Sequence, residues 1–150
     1  MIWIKRVRNF FLPVKKKRAK PCIPSQVHDL QEIFRQINHQ YFEGQLPLSI
    51  SWFGRKRSSR RIRRKVLGYY DDTKKSIKIH RSLDSSFFPS YFVAFVVYHE
   101  MLHYVEPPRQ GRQRRMVHHE GFRQREKLFL SYEDAKNFER NHLEKILHGS

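Results

Sequence analysis

Apolar residues recur along this chain with a period that changes from segment to segment. Val27, Leu30, Phe34, Ile37 and Tyr41 fall at helical spacing and predict an amphipathic helix. Ser25 is placed to cap its start, Gly44 offers the left-handed position that ends a helix, and Pro47 completes the break. Leu48, Ile50 and Trp52 then alternate with Ser49, Ser51 and Phe53, the period of a strand. Residues 66–71 and Ser76–His80 predict two more strands, joined as a hairpin around Asp72-Thr73-Lys74. Ser85, Ser86 and Pro89 mark the start of a helix that reaches about Val105, where Pro107-Pro108 forbids continuation. Phe92, Val93, Ala94, Phe95, Val96 and Val97 make that helix apolar nearly all round, so it belongs in the middle of a fold. A further helix is predicted over residues 114–130. Ser131 and Asp134 then resemble a capping box opening a last helix, whose face carries Ala135, Phe138, His142 and Ile146.

This order of elements predicts an α+β fold: a compact single domain with a small, mainly antiparallel three-stranded sheet packed against helices. With 150 residues, 39% of them hydrophobic, the chain can build one real core. That domain is expected to span residues 25–150. Residues 1–24 read differently. Lys15-Lys16-Lys17-Arg18-Ala19-Lys20 is a self-repelling charge block, and Pro13, Pro21 and Pro24 oppose a continuous helix, so a basic arm is expected there.

Charge adds a second theme. Lys and Arg total 31 against 14 acidic residues, a formal net charge of +17. A field of that sign attracts polyanions, with nucleic acid the usual partner. The charge is clustered: Arg55, Lys56, Arg57, Arg60, Arg61, Arg63, Arg64 and Lys65 crowd one short segment, which with the arm and residues 109–115 could hold a phosphate backbone. Cys22 is the single cysteine, which excludes a disulfide framework within the chain and any Cys-rich zinc module. The longest apolar stretch, residues 87–98, is interrupted by Pro89 and Ser90 and falls short of the ~18 residues expected of a transmembrane span. The N-terminal apolar run, residues 10–14, is too short for a signal peptide, so an intracellular, cytoplasmic protein is expected, or a nuclear one in a host with a nucleus.

The candidate chemistry lies in the buried helix. His99 and His103 are four residues apart, so they share one helical face and can bind one zinc ion together. Glu100 lies beside them and can take a proton from a water attacking a carbonyl, the logic of an H-E-x-x-H helix. Burying two histidines and a glutamate without a partner is costly, and a metal supplies one. A catalytic zinc needs a third protein ligand. The metzincin continuation is excluded, because Glu106 and Arg109 stand where it requires Gly and His. The third ligand is expected from the next helix, where His118, His119, Glu120 and Glu126 are all open.

Four segments together resemble the SprT-like, or Spartan-type, zinc metalloprotease domain. They are Asn38-His39-Gln40-Tyr41-Phe42-Glu43-Gly44-Gln45-Leu46, Gly68-Tyr69-Tyr70, Tyr98-His99-Glu100-Met101-Leu102-His103 and His118-His119-Glu120-Gly121-Phe122. The resemblance covers about residues 27–130. It implies a zincin-like active-site helix, one Zn2+ and hydrolysis of peptide bonds in protein substrates, with Glu100 as general base. In that family the third ligand is a His four residues before a Phe, which carries over to His118 by counting back from Phe122. His119 departs from the pattern, which usually has Gly there. Some family members cleave proteins bound or crosslinked to DNA, which the basic segments here would suit. The Cys-rich C-terminal zinc module of many members is missing from this sequence. A rival reading is a non-catalytic nucleic-acid-binding protein whose metal merely staples two helices, and Glu100 separates the two.

Overall fold

A computed structural model describes residues 27–54, 66–111 and 115–148. The expected N-terminal arm and the whole basic segment at 55–65 lie outside the described residues, as does the proposed cap Ser25.

The first helix, α1 (Leu30–Phe42), starts later than the apolar pattern predicts. Asp29 is the cap: its carboxylate accepts from the backbone N–H of Gln31 and of Glu32, both at 3.1 Å. Val27 therefore precedes the helix and is exposed, while Leu30 and Ile37 carry the buried stripe. Glu43 and Gly44 both take positive φ, 55° and 72°, and end the helix. Asn38 then turns the chain back. Its amide donates to the Leu46 carbonyl and its side-chain oxygen accepts from the Leu46 N–H, each at 3.2 Å. A buried Asn here stands in for a strand neighbour and fixes the approach to β1 (Ser49–Phe53).

β2 (Gly68–Asp71) and β3 (Ser76–His80) form the expected hairpin. Asp71 closes the turn by accepting from Thr73 and Lys74. The sheet is mixed rather than mainly antiparallel: the order is β1-β3-β2, and β1 runs parallel to β3. A parallel partner needs a long crossover, and residues 54–75 between the two strands supply it. Ile50, Ile77 and Ile79 bury one face of this sheet.

Helix α2 (Ser90–Val105) packs against that face and touches α1, β2, β3 and two later helices, α3 (Glu120–Glu126) and α4 (Tyr132–Asn141). Its all-round apolar sequence is the reason: Phe92, Val93, Val97, Met101 and Leu102 are at most 1% exposed, on every side of the helix. Glu106 closes it just before Pro107.

The long helix predicted over residues 114–130 is a correction. Among the described residues of that range, only the seven of α3 form an α-helix. Ahead of it, β4 (Arg109–Gln110) and β5 (Arg115–Met116) pair antiparallel. His119 caps α3, its Nδ1 accepting from the Phe122 N–H at 3.4 Å, so this helix does not extend back through residues 115–119. The last predicted helix is also divided. α4 ends at Asn141 with His142 as its cap, and α5 (Leu143–His148) follows, while Ser131 makes no side-chain capping bond. Ala135 and Ile146 are buried as expected. No helix among the described residues is long and apolar enough to cross a membrane.

Asn38→Ala should cost about 1–3 kcal/mol, because it strands both backbone groups of Leu46 in a partly buried turn. A urea melt showing an unchanged midpoint would contradict this role.

Candidate metal centre

Helix α2 and the loop before α3 bring three imidazoles together. The helical repeat of α2 stacks His99 and His103, whose rings are 5.0 Å apart between centroids. His118, from the loop between β5 and α3, lies 4.9 Å from the His99 ring and 5.0 Å from the His103 ring. One ligand nitrogen from each falls within 4.8 Å of the others. His103 Nε2 and His118 Nε2 are 3.3 Å apart. Two nitrogens at ~2.0–2.1 Å from one tetrahedral zinc would be separated by about 3.3 Å, so this edge of the triangle already has the right length. Phe122, 1% exposed, forms the floor, its ring centroid 5.1, 4.8 and 4.7 Å from the rings of His99, His103 and His118.

The protonation chemistry also suits a cation. Burial, with His99 and His118 nearby, holds His103 down at about 4. His118 is lowered by burial and by His99. Both imidazoles are therefore neutral near pH 7 and keep a lone pair for a metal. His99 Nδ1 is 2.6 Å from Glu126 Oε1. Donation of that N–H to the carboxylate leaves Nε2 as the ligand atom and fixes the ring. Burial pushes the Glu126 carboxyl up, but the His99 hydrogen bond and charge, with Lys136 and His118, outweigh it and leave it lowered. The donor set fits a divalent cation: His99, His103 and His118 could hold one, with Glu126 as the outer partner.

Glu100 sits on the adjoining face of α2, 6% exposed. Its Oε2 is 4.0 Å from His103 Nε2. Burial raises its carboxyl to about 7, opposed by His99 and by the backbone N–H of Tyr70. Space for it comes from Gly68: a Cβ there would lie 3.0 Å from both Cγ and Oε1 of Glu100. Gly68 was not singled out for this role by the sequence pattern. A glycine at the start of a strand is its only signal, the mark of a close approach.

The other candidates are employed elsewhere. His119 is 4% exposed, and its Nε2 donates to the Pro107 carbonyl at 3.3 Å while its Nδ1 caps α3. Both ring nitrogens are thus occupied. Glu106 braces the same loop, bound to Arg125 Nε at 2.8 Å and lying 3.7 Å from His119. Glu120 bonds Gln124 on the exposed side of α3. Tyr98, beside His99 in sequence, donates to the Arg125 carbonyl at 2.7 Å, and burial raises its phenol to about 12. Tyr104 does line the site. The basic residues Arg55, Lys56, Arg57, Arg60, Arg61, Arg63, Arg64 and Lys65 lie outside the described residues.

The three imidazoles and Glu100 open onto a cavity of about 770 Å3 between α2 and β2. β2 is an edge strand. The bond from His80 N–H to the Leu67 carbonyl, 2.7 Å, fixes its alternation, so the peptide groups of Gly68 and Tyr70 turn away from β3, where the Tyr70 N–H meets Glu100. Comparisons with protein-family models, curated proteins and solved structures return no match, so the functional reading rests on the residues themselves.

His118→Ala should abolish stoichiometric zinc binding, whereas His119→Ala should retain the metal and lose stability instead. Metal analysis of the two purified variants giving the reverse order would overturn the assignment. Glu126→Gln should weaken zinc affinity by about 10–100-fold, as loss of an outer-shell carboxylate does. Unchanged affinity in a competition titration would show that Glu126 only packs.

Proposed function

We propose that this chain is a zinc-dependent metalloprotease of the SprT-like type, hydrolysing peptide bonds in proteins bound or crosslinked to DNA. The observation that carries the reading is the position of Glu100. A carboxylate is buried beside three convergent imidazoles, and a strand glycine leaves room for it on the wall of an open cavity. A metal that only staples α2 to the following loop has no use for such a group. Desolvating it would be a cost without return.

A zinc ion held by His99, His103 and His118 would supply Lewis acidity to a scissile carbonyl and acidify a water beside it. Glu100 is the base that takes the proton of that water and later delivers it to the leaving amine. Its burial keeps the carboxylate poorly solvated and hence a better proton acceptor than an exposed one. The outward peptide groups of Gly68 and the outward carbonyl of Tyr70, whose N–H is taken by Glu100, can hold an extended peptide by main-chain hydrogen bonds, which suits a protein substrate better than a small molecule. Phe122 and the aromatic packing of α2 keep the ligand rings fixed.

The DNA side of the reading rests on charge. The net +17 and the basic clusters give an electrostatic, sequence-independent attraction to phosphates. Arg109 and Arg115 add exposed cations on the β4–β5 ladder, and Arg115 lines the cavity itself. Nucleic acid would recruit the enzyme to proteins already on it, in an intracellular compartment.

Zinc-loaded wild type should cleave a DNA-bound protein, with the rate falling as salt rises. Glu100→Gln should lose about 10²–10⁴-fold in rate while keeping one zinc. Equal cleavage by both would remove Glu100 from the chemistry. No cleavage by either, with zinc bound and DNA binding intact, would favour a nucleic-acid-binding protein with a structural metal.

A further inference from the structure

The cavity does not stop at the metal centre. Gly68 faces Glu100, and the Tyr70 ring meets the Tyr104 ring with centroids 6.1 Å apart, so β2 runs alongside α2 in the same direction. Beyond Gly68, toward the start of α2, the same cavity is walled by Val66 and Leu67 on one side and by Phe95 and Val96 on the other. Phe95 lies one helical turn before His99, with its ring 6.5 Å from the imidazole. Lys136 and Glu139, from α4, close the far end. Their ion pair is 2.6 Å long, and the Lys136 ammonium sits 5.8 Å from the Phe95 ring centroid. The walls are therefore apolar and the end is polar but already neutralised.

We propose that this end of the cavity is a specificity subsite that takes a large, uncharged apolar side chain, such as Leu, Phe or Met, on the C-terminal side of the scissile bond. The inference rests on the peptidase reading above and names the peptide it prefers. Antiparallel pairing is the stronger of the two ways a peptide can add to the β2 edge. A peptide so paired runs from Tyr70 toward Val66, so the residue following the bond cleaved at Glu100 meets Phe95 and Val96. A charged side chain there would have to compete with Lys136 or Glu139 for a partner each already has. An apolar one gains burial against the walls. Discrimination of a large apolar residue from Ala in such a slot should be about 10-fold or more.

Two substitutions on different walls test this; neither residue is a metal ligand, and zinc content controls for the influence of Lys136 on Glu126. Val96→Phe fills the floor and should reverse the preference, so that Gly or Ala is favoured after the cleaved bond. Lys136→Glu places two carboxylates at the end and should shift the preference toward Lys and Arg. Cleavage sites of wild type and both variants would be mapped by mass spectrometry on a mixed peptide library, with circular dichroism and zinc content as checks on folding. In parallel, binding of fluorescent peptides differing only at that residue would be measured with zinc-loaded Glu100→Gln, which needs no turnover. Tighter binding of the Leu and Phe peptides, lost in Val96→Phe combined with Glu100→Gln, supports the subsite even if wild type cleaves nothing, and that result would sink only the peptidase reading. Cleavage or binding indifferent to the residue, or unchanged preferences in both variants, overturns the subsite.

Discussion

Two imidazoles and a carboxylate lie on α2, the most deeply buried helix among the described residues, and leaving them unpartnered there would cost several kcal/mol. The surrounding elements answer that cost one group at a time. β2 offers the Tyr70 N–H to Glu100, and its glycine makes the approach possible. α3 brings Glu126 to His99. The loop before α3 brings His118 to His103. Each partner comes from a different segment, so the packing of strand, loop and helix around α2 is also the assembly of the site. The contact between His103 and His118 joins two ring nitrogens rather than a nitrogen and an oxygen. Two imidazole nitrogens face each other at 3.3 Å, with a third close by, and a shared cation could bind all three.

The supports one layer further out explain why the arrangement is specific. His118 belongs to a loop rather than a helix, so its position depends on what holds the loop. His119 does this from the next residue, bonded forward to Phe122 and back to Pro107. Glu106 joins the end of α2 to Arg125 of α3. The two neighbouring histidines thus have opposite duties: one faces the cavity while the other ties down the backbone. On the other side, Tyr41 accepts from the Leu130 N–H and packs on Tyr98 and Phe129, locking α1 to the segment that follows α3. The residues around Asn38 and Tyr41 therefore reach the metal centre only through packing.

Local signals were legible in the sequence where the deciding interactions are local. Ser76–His80 and the span of α2 follow from alternation, a continuous apolar run and a proline pair. The pairing of His99 with His103 follows from helical geometry alone. Non-local contacts decided the rest. The parallel partnership of β1 with β3 depends on a crossover through residues 54–75, and nothing in the alternation of residues 48–53 reveals it. The helix predicted over 114–130 failed because its first third has no apolar period and because His119 finds a capping role that only the folded loop provides. The choice between His118 and His119 was open for the same reason: Pro107, which occupies His119, is twelve residues away in sequence. Glu126 was visible as an acid near the site, but its role as the partner of His99 required the tertiary contact.

The account stands on one cation bound by three named imidazoles, and zinc K-edge absorption on protein loaded with one equivalent of zinc tests that directly. A first shell of three imidazole nitrogens and one lighter oxygen or nitrogen donor at ~2.0–2.1 Å is the expected spectrum, with the multiple-scattering signature of the imidazoles reduced in His118→Ala. Failure to retain one equivalent of zinc, or a shell with fewer than three imidazoles in the wild-type protein, would contradict it.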